Sequence, residues 1–256
     1  MSLPPPIRGA RAAFVFLTRI PAGGYPYSDE DYAWAPAHSP LVGLVVGALG
    51  GAAFWLCMGA GFLPAALVGV AVTMLVTGAF HEDGLADTAD ALGGAIFDRE
   101  RLMEILKDSR IGTYGTVAVV ISILLRAALI AEWGALGAAA FVLSHLLGRV
   151  VPPWLMATMP YVTDPEHAKS RPIVKARVSQ ALVSTVYGVV AVVVAWRLLP
   201  AFGWGPALSF ATVPAAAMLC AWRFHKRAGG VTGDFLGATE QVAEMVVLLT
   251  LALARP

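Results

Sequence analysis

The sequence predicts an all-α, polytopic integral membrane protein with about six to seven transmembrane helices and polar loops held over the cytoplasmic face. Three observations predict it. The 256 residues are 58% hydrophobic and only 14% charged, with mean hydropathy +0.71, whereas soluble domains carry about 25% charged residues. Residues 41–80 contain no charge at all, and about 20 apolar residues at ~1.5 Å each cross a ~30 Å hydrocarbon core. Finally, 14 of the 18 Lys and Arg fall in four segments, 1–40, 81–112, 160–178 and 223–240. Even-numbered crossings separate these segments, so they share one face, and the positive-inside bias makes it cytoplasmic.

The elements follow in order. Residues 7–20 carry Arg8, Arg11 and Arg19 around a short apolar patch, which suits an interfacial helix and not a secretory signal. The run 41–80 is long enough for two spans, with the Gly and Pro between Gly59 and Pro64 marking the hairpin. Gly43, Gly47, Gly50 and Gly51 let neighbouring helices approach closely and are compatible with a homo-oligomer. Further spans read at about 114–132, 136–158, 179–196 and 204–222, followed by a shorter apolar tail from about 241 to 254. No internal repeat or linker divides the chain, so residues 1–256 read as one integral membrane catalytic domain. A net charge of +1 gives no field for a polyanion, so no nucleic-acid partner is expected. Cys57 and Cys220 sit alone in apolar runs, with neither a disulfide framework nor a zinc site readable.

The densest polar segment is His81 to Asp90, directly after the second span. Continued as helix, it places Asp83, Asp87 and Asp90 at i, i+4 and i+7 on one stripe. Three carboxylates there repel. A hard divalent cation is the natural counter-charge, Mg²⁺ above all, because it takes oxygen ligands and keeps positions open for water and phosphate. The alternative is an acidic turn whose carboxylates cap the next helix. Residues 98–115 follow, with apolar positions suited to an interfacial helix; near its end Lys107 and Arg110 flank Asp108 and Ser109, just before the Gly-flanked turn at Tyr114. Two cations beside exposed glycine backbone suit a phosphate, although mixed charges on an exposed face are also common.

Arg126, His145 and Arg149 fall inside spans, where an ionisable group normally faces a polar cavity or a partner. His145 and Arg149 are i and i+4 and share a face. The cationic run Lys169, Arg171, Lys175 and Arg177 suits a phosphate or simply the positive-inside rule. Last, Gly229 to Glu240 surrounds Thr232, Gly233 and Asp234 with glycines, as a ligand-holding loop requires. Glu240 and Glu244 lie beyond it, at the edge of hydrocarbon.

The runs FHEDGLADTADALGG (Phe80–Gly94), ILKDSRIGTYG (Ile105–Gly115) and GGVTGDFLGATE (Gly229–Glu240) resemble the signature segments of the cobalamin synthase family, the adenosylcobinamide-GDP ribazoletransferases. FLTRIP (Phe16–Pro21) and SPLVG (Ser39–Gly43) fit the family's beginning, so the resemblance spans nearly the whole chain. It implies a late step of vitamin B12 assembly at the bacterial inner membrane. Adenosylcobinamide phosphate passes from its GDP-activated form to alpha-ribazole or its 5'-phosphate, with Mg²⁺, and GMP leaves. On that chemistry Asp83, Asp87 and Asp90 hold Mg²⁺, with Glu82 or Asp234 completing the shell. Lys107 and Arg110 stabilise the leaving phosphate, and Asp87 or His81 accepts the nucleophile's proton. Ser109, Tyr114, His145, Arg149, Thr232 and Gly233 are the expected substrate-binding residues.

Two rivals stand beside this reading. CDP-alcohol phosphotransferases also place spaced aspartates on membrane helices, but here Asp87-Thr88-Ala89-Asp90 is followed by Ala91 where that family's pattern has Gly. A transporter would use Arg126, His145 and Arg149 as a substrate path, yet most acids here gather in loops on one side.

Overall fold

A computed structural model describes residues 3–162 and 176–255; Lys169, Arg171 and Lys175 lie outside them. The helices are α1 (Pro5–Leu17), α2 (Asp29–Trp34), α3 (Ser39–Cys57), α4 (Phe62–Thr77), α5 (Phe80–Gly94), α6 (Arg99–Ile105), α7 (Thr113–Ala131), α8 (Gly137–Gly148), α9 (Pro152–Thr158), α10 (Val178–Leu198), α11 (Gly205–Ala228) and α12 (Gly233–Leu253). No strand forms among the described residues. A single parallel bridge joins Tyr161 to Val231. The chain is an all-α, multi-pass membrane protein: among the described residues six helical segments are long and apolar enough to cross a bilayer, and α4 with α5 makes up to seven.

The spans sit where the apolar runs place them, with four departures, the first being that Phe62–Thr77, the second half of the 41–80 run, counts as a span only together with the bent α5. The stretch 136–158 is broken after Gly148, because consecutive prolines at 152 and 153 deny the preceding turn its helical continuation. The last span is longer than the apolar tail from 241. It starts at Gly233, where the Thr232 side chain accepts from Phe235 N at 3.2 Å, so Glu240 and Glu244 lie inside the helix. And the 98–115 helix stops at Ile105, leaving Lys107 to Arg110 in a loop.

Two helices form the centre. In the segment Gly134–Thr158, which contains α8, and in α12, 61% of the most apolar stretch is buried inside the protein, against 28% in α7 and α10 and 22% in α11. Gly43, Gly47 and Gly51 of α3 face α8 so closely that a Cβ at 47 would lie 2.7 Å from the Phe141 carbonyl and one at 51 would lie 2.7 Å from that of Ala138. The small-residue stripe is therefore used within the chain, backbone against backbone. Outward rows such as Leu124, Val186, Val190 and Leu219 stay exposed, as lipid-facing residues do.

The feature that positions the site is the corner after α4. With 16 residues α4 is only about 24 Å long, and the chain then turns by 92° into α5. Gly78 (φ 68°) and Ala79 (φ 57°) make the turn in left-handed backbone, with Ala79 N donating to Met74 O at 2.8 Å. Ala79 is the one non-glycine residue with positive φ among those described. An L side chain there costs about 1 kcal/mol. Ala79→Gly is expected to raise the thermal midpoint of the detergent-solubilised protein, and Gly78→Val to lower it by the equivalent of about 1–2 kcal/mol; unfolding followed by circular dichroism measures both.

Candidate active site

Helix α5 lies against α7 and α12. Its contact with α12 is made by glycine. A Cβ on Gly84 would come 2.9 Å from the Asp234 carbonyl oxygen, and one on Gly237 would come 3.5 Å from His81 Cα. The acidic segment is helical throughout, as its spacing predicts, with Asp83 exposed, Asp87 half-buried and Asp90 buried.

Beneath this crossing lies a buried ionic network that ties four helices together. Arg126 of α7, 2% exposed, donates from Nη2 to Glu82 Oε1 of α5 and from Nη1 to Glu244 Oε2 of α12, each at 3.0 Å. Arg149, at the end of α8, donates from Nη1 to Glu244 Oε1 at 2.7 Å and to the His145 carbonyl at 3.0 Å. The same Nη1 is 2.7 Å from Glu240 Oε1, a charge contact whose angles are not those of a hydrogen bond. His145 Nδ1 touches Glu244, and His81 Nδ1 is 3.9 Å from Glu240 Oε2. Gln241 accepts from Ser122 at 3.1 Å and donates to Glu240 at 3.1 Å. Isolated buried ions are too costly to persist; here three carboxylates face two guanidinium groups.

His145, Glu240 and Glu244 place three ligand atoms within 4.8 Å of one another, the geometry of a metal site. The Arg149 guanidinium already contacts both glutamates and that of Arg126 contacts Glu244. Fixed cations thus occupy the place a divalent ion would take, and the cluster is an ion-pair network.

The predicted metal residues separate into two groups. Asp83 and Asp87 share one face of α5, and the glycine crossing puts the Asp234 backbone against Gly84 between them in sequence. The Asp83 side chain makes no hydrogen bond or ion pair with a described residue, which leaves it open to a ligand. Asp90 has a different task. Its Oδ2 accepts from Gly112 N at 2.7 Å and its Oδ1 from Gly115 N at 2.9 Å, so it caps the N-terminus of α7 from another helix. Glu82 points to Arg126. Among the described residues, no three carboxylates from this set bring ligand atoms within 4.8 Å of one another.

Two concavities flank α5. At its N-terminal end is a cleft of about 680 Å³ of empty space, walled by residues such as Phe16, Phe80, Pro152, Met156 and Leu236. Its polar groups come from His81, Arg149 and Glu240, so the ionic network forms one wall; Gly233 lines it too. At the C-terminal end is an open concavity of about 920 Å³ lined by Asp90, Asp108, Arg110, Gly112 and Tyr114. There Arg110 forks onto Asp108, Nε to Oδ1 at 3.0 Å and Nη2 to Oδ2 at 2.7 Å, and these bonds hold the Asp108 carboxyl down at about 2. Lys107 and Ser109 are exposed in the same loop, and a Cβ on Gly93 would meet the Tyr114 ring at 2.6 Å.

The structure thus sets Asp83 and Asp87 on one face of α5 and the Asp234 backbone against Gly84, and it brings His81, Arg149 and Gly233 to the first cleft and Arg110 and Tyr114 to the second. Thr232 caps α12, and His145 is covered within the network. Sequence reasoning passed over Arg126, Glu240 and Glu244 as site residues. The signal was present: two arginines in apolar runs require acids at the same depth, and Glu240 and Glu244 are spaced i, i+4.

Replacing Arg126 by Met leaves Glu82 and Glu244 buried with one partner fewer, a loss of about 3–5 kcal/mol. Asp90→Ala removes a two-amide cap worth about 1–2 kcal/mol, whereas Asp83→Asn should leave stability unchanged. Chemical denaturation in mixed micelles gives all three values.

The sequence profile of the cobalamin-5-phosphate synthase family matches residues 9–252. A protein of Leptothrix cholodnii named adenosylcobinamide-GDP ribazoletransferase is 37% identical over 260 residues, covering 95% of each chain. Similarly named proteins of Shewanella amazonensis (36% over 250 residues, 94% of this chain and 93% of the relative) and Polaromonas sp. (35% over 278 residues, 97% of both) also match. No solved structure matches.

Proposed function

Because the chain belongs to the cobalamin-5-phosphate synthase family, a family of enzymes, we propose that it transfers adenosylcobinamide phosphate from adenosylcobinamide-GDP to alpha-ribazole or its 5'-phosphate and releases GMP. The reaction is a late step in building the nucleotide loop of cobalamin. A ribose hydroxyl oxygen forms a bond to the phosphorus that carries the cobinamide arm, the bond from that phosphorus to GMP breaks, and the hydroxyl proton is lost. Such a displacement needs charge neutralisation on the bridging phosphates and in-line placement of the two reactants.

The observation that carries the reading is α5 itself. A helix turned 92° off its span presents two carboxylates at i, i+4 between two concavities, one apolar and one holding the Arg110–Asp108 pair. Asp83 and Asp87 fit Mg²⁺, which is commonly held by one or two carboxylates together with substrate phosphates; Asp234 stands at the crossing to assist. The ion, when bound, would offset the charge of the pyrophosphate. Lys107 and Arg110 draw the GDP phosphates into the open concavity, with Arg110 exchanging Asp108 for phosphate. Asp87 or His81 receives the hydroxyl proton. The 14 Lys and Arg of the four polar segments support an active face on the cytoplasmic side of a bacterial inner membrane.

Purified protein given adenosylcobinamide-GDP, alpha-ribazole and Mg²⁺ should release GMP, with labelled CDP-alcohols inert. Chelation by EDTA should stop the reaction and added Mg²⁺ restore it. Asp83→Asn and Asp87→Asn should each lower kcat by about a hundredfold or more without loss of folded protein. Near-normal turnover in both variants would remove the metal from α5.

A further inference from the structure

Of the features left unassigned, the cleft at the start of α5 carries most, because it is apolar in its walls yet polar at one place. We propose that this cleft seats the acceptor, and that it takes the aromatic base of the ribazole. The proposal rests on the transfer reading above and assigns one of its two substrates to one of the two concavities.

Wall chemistry is the first argument. Phe16, Phe80, Met156 and Leu236 offer flat or flexible apolar surface, and Phe16 and Phe80 meet edge to face with centroids 5.4 Å apart. A guanine ring would lose the partners of its exocyclic groups against such walls. A base that is apolar at its edge loses none.

Second, one polar group there is unpartnered. Arg149 and Glu240 both line the cleft and are 2% and 1% exposed; Glu240 Oε1 rests 2.7 Å from Arg149 Nη1, whereas the buried Nε of Arg149 has no hydrogen-bond partner. An aromatic base with an unprotonated ring nitrogen can accept from the Arg149 Nε–H. An acyl chain can do nothing there, and this sets the base apart from a lipid tail. Finally, Gly233 lines the cleft and its neighbour Asp234 lies on Gly84 of α5. A ribose leaving the cleft therefore passes the first turn of α12 towards the face with Asp83 and Asp87. The cationic loop at the far end of α5 is left for the GDP-bearing substrate.

The test uses the full chain in detergent micelles, equilibrium dialysis with radiolabelled alpha-ribazole, and steady-state kinetics in both substrates. Leu236→Trp, which fills the cleft, should weaken ribazole binding and raise its KM about tenfold or more, while the KM for adenosylcobinamide-GDP stays within about twofold. Should that variant fail to fold, Met156→Phe on the α9 wall carries the same test. Phe16→Ala, which enlarges the cleft, should shift preference towards bulkier alkylated benzimidazole nucleosides. Guanosine should not displace ribazole. Ribazole affinity unchanged in the filled variant, a KM effect confined to adenosylcobinamide-GDP, or displacement by guanosine overturns the assignment. Ribazole binding that obeys these predictions without GMP release by the wild-type protein supports the cleft assignment and sinks the transfer reading instead.

Discussion

The ion pairs of Arg126 are the constraint on which the rest of the molecule depends. A guanidinium in an apolar helix has to be answered from neighbouring helices, because neither lipid nor bulk water reaches it. Glu82 answers from α5 and Glu244 from α12, while Arg149 and His145 reach the same Glu244 from α8. Apolar packing in a bilayer is nearly indifferent to helix rotation, since lipid tails are as greasy as leucine. Fixed charges are not indifferent. They set the rotation of α5, and with Glu82 turned inward towards Arg126, Asp83 is left on the exposed side.

Close backbone contact supplies the second half of the arrangement. Gly84 and Gly237 let α5 and α12 meet without side chains between them, and Gly43, Gly47 and Gly51 do the same for α3 and α8. A span that ends early at Gly78 and turns through left-handed backbone lays the acidic helix across the bundle. The cleft at one end of α5 and the open concavity at the other then share a single carboxylate-bearing helix. That arrangement suits the proposed transfer, which brings two reactants to one set of carboxylates.

Much of this was legible in the residues. The uncharged run 41–80, the i, i+4 spacing of Asp83 and Asp87 and the shared face of His145 and Arg149 all translate directly into helices and faces. The family resemblance carried by Phe80–Gly94, Ile105–Gly115 and Gly229–Glu240 agrees with the profile match over residues 9–252. What did not show was tertiary. Nothing local tells that Asp90 reaches across to Gly112 and Gly115, since a carboxylate capping a helix from another element has no spacing rule. The start of α12 was hidden because Glu240 and Glu244 lower the hydropathy of their own helix, and only the partners Arg126 and Arg149 make that tolerable. The end of α6 at Ile105 was equally hidden: its mixed charges fit a longer helix as well as a short one followed by a loop.

The central claim is that α5 offers Asp83 and Asp87 to a divalent cation while Asp90 serves the backbone of α7. Mn²⁺ binding followed by electron paramagnetic resonance, in the full chain reconstituted in nanodiscs, tests it without relying on turnover. Saturable binding that is lost in Asp83→Asn and in Asp87→Asn but retained in Asp90→Asn is the predicted result. Retention in the first two, or loss in Asp90→Asn alone, contradicts it.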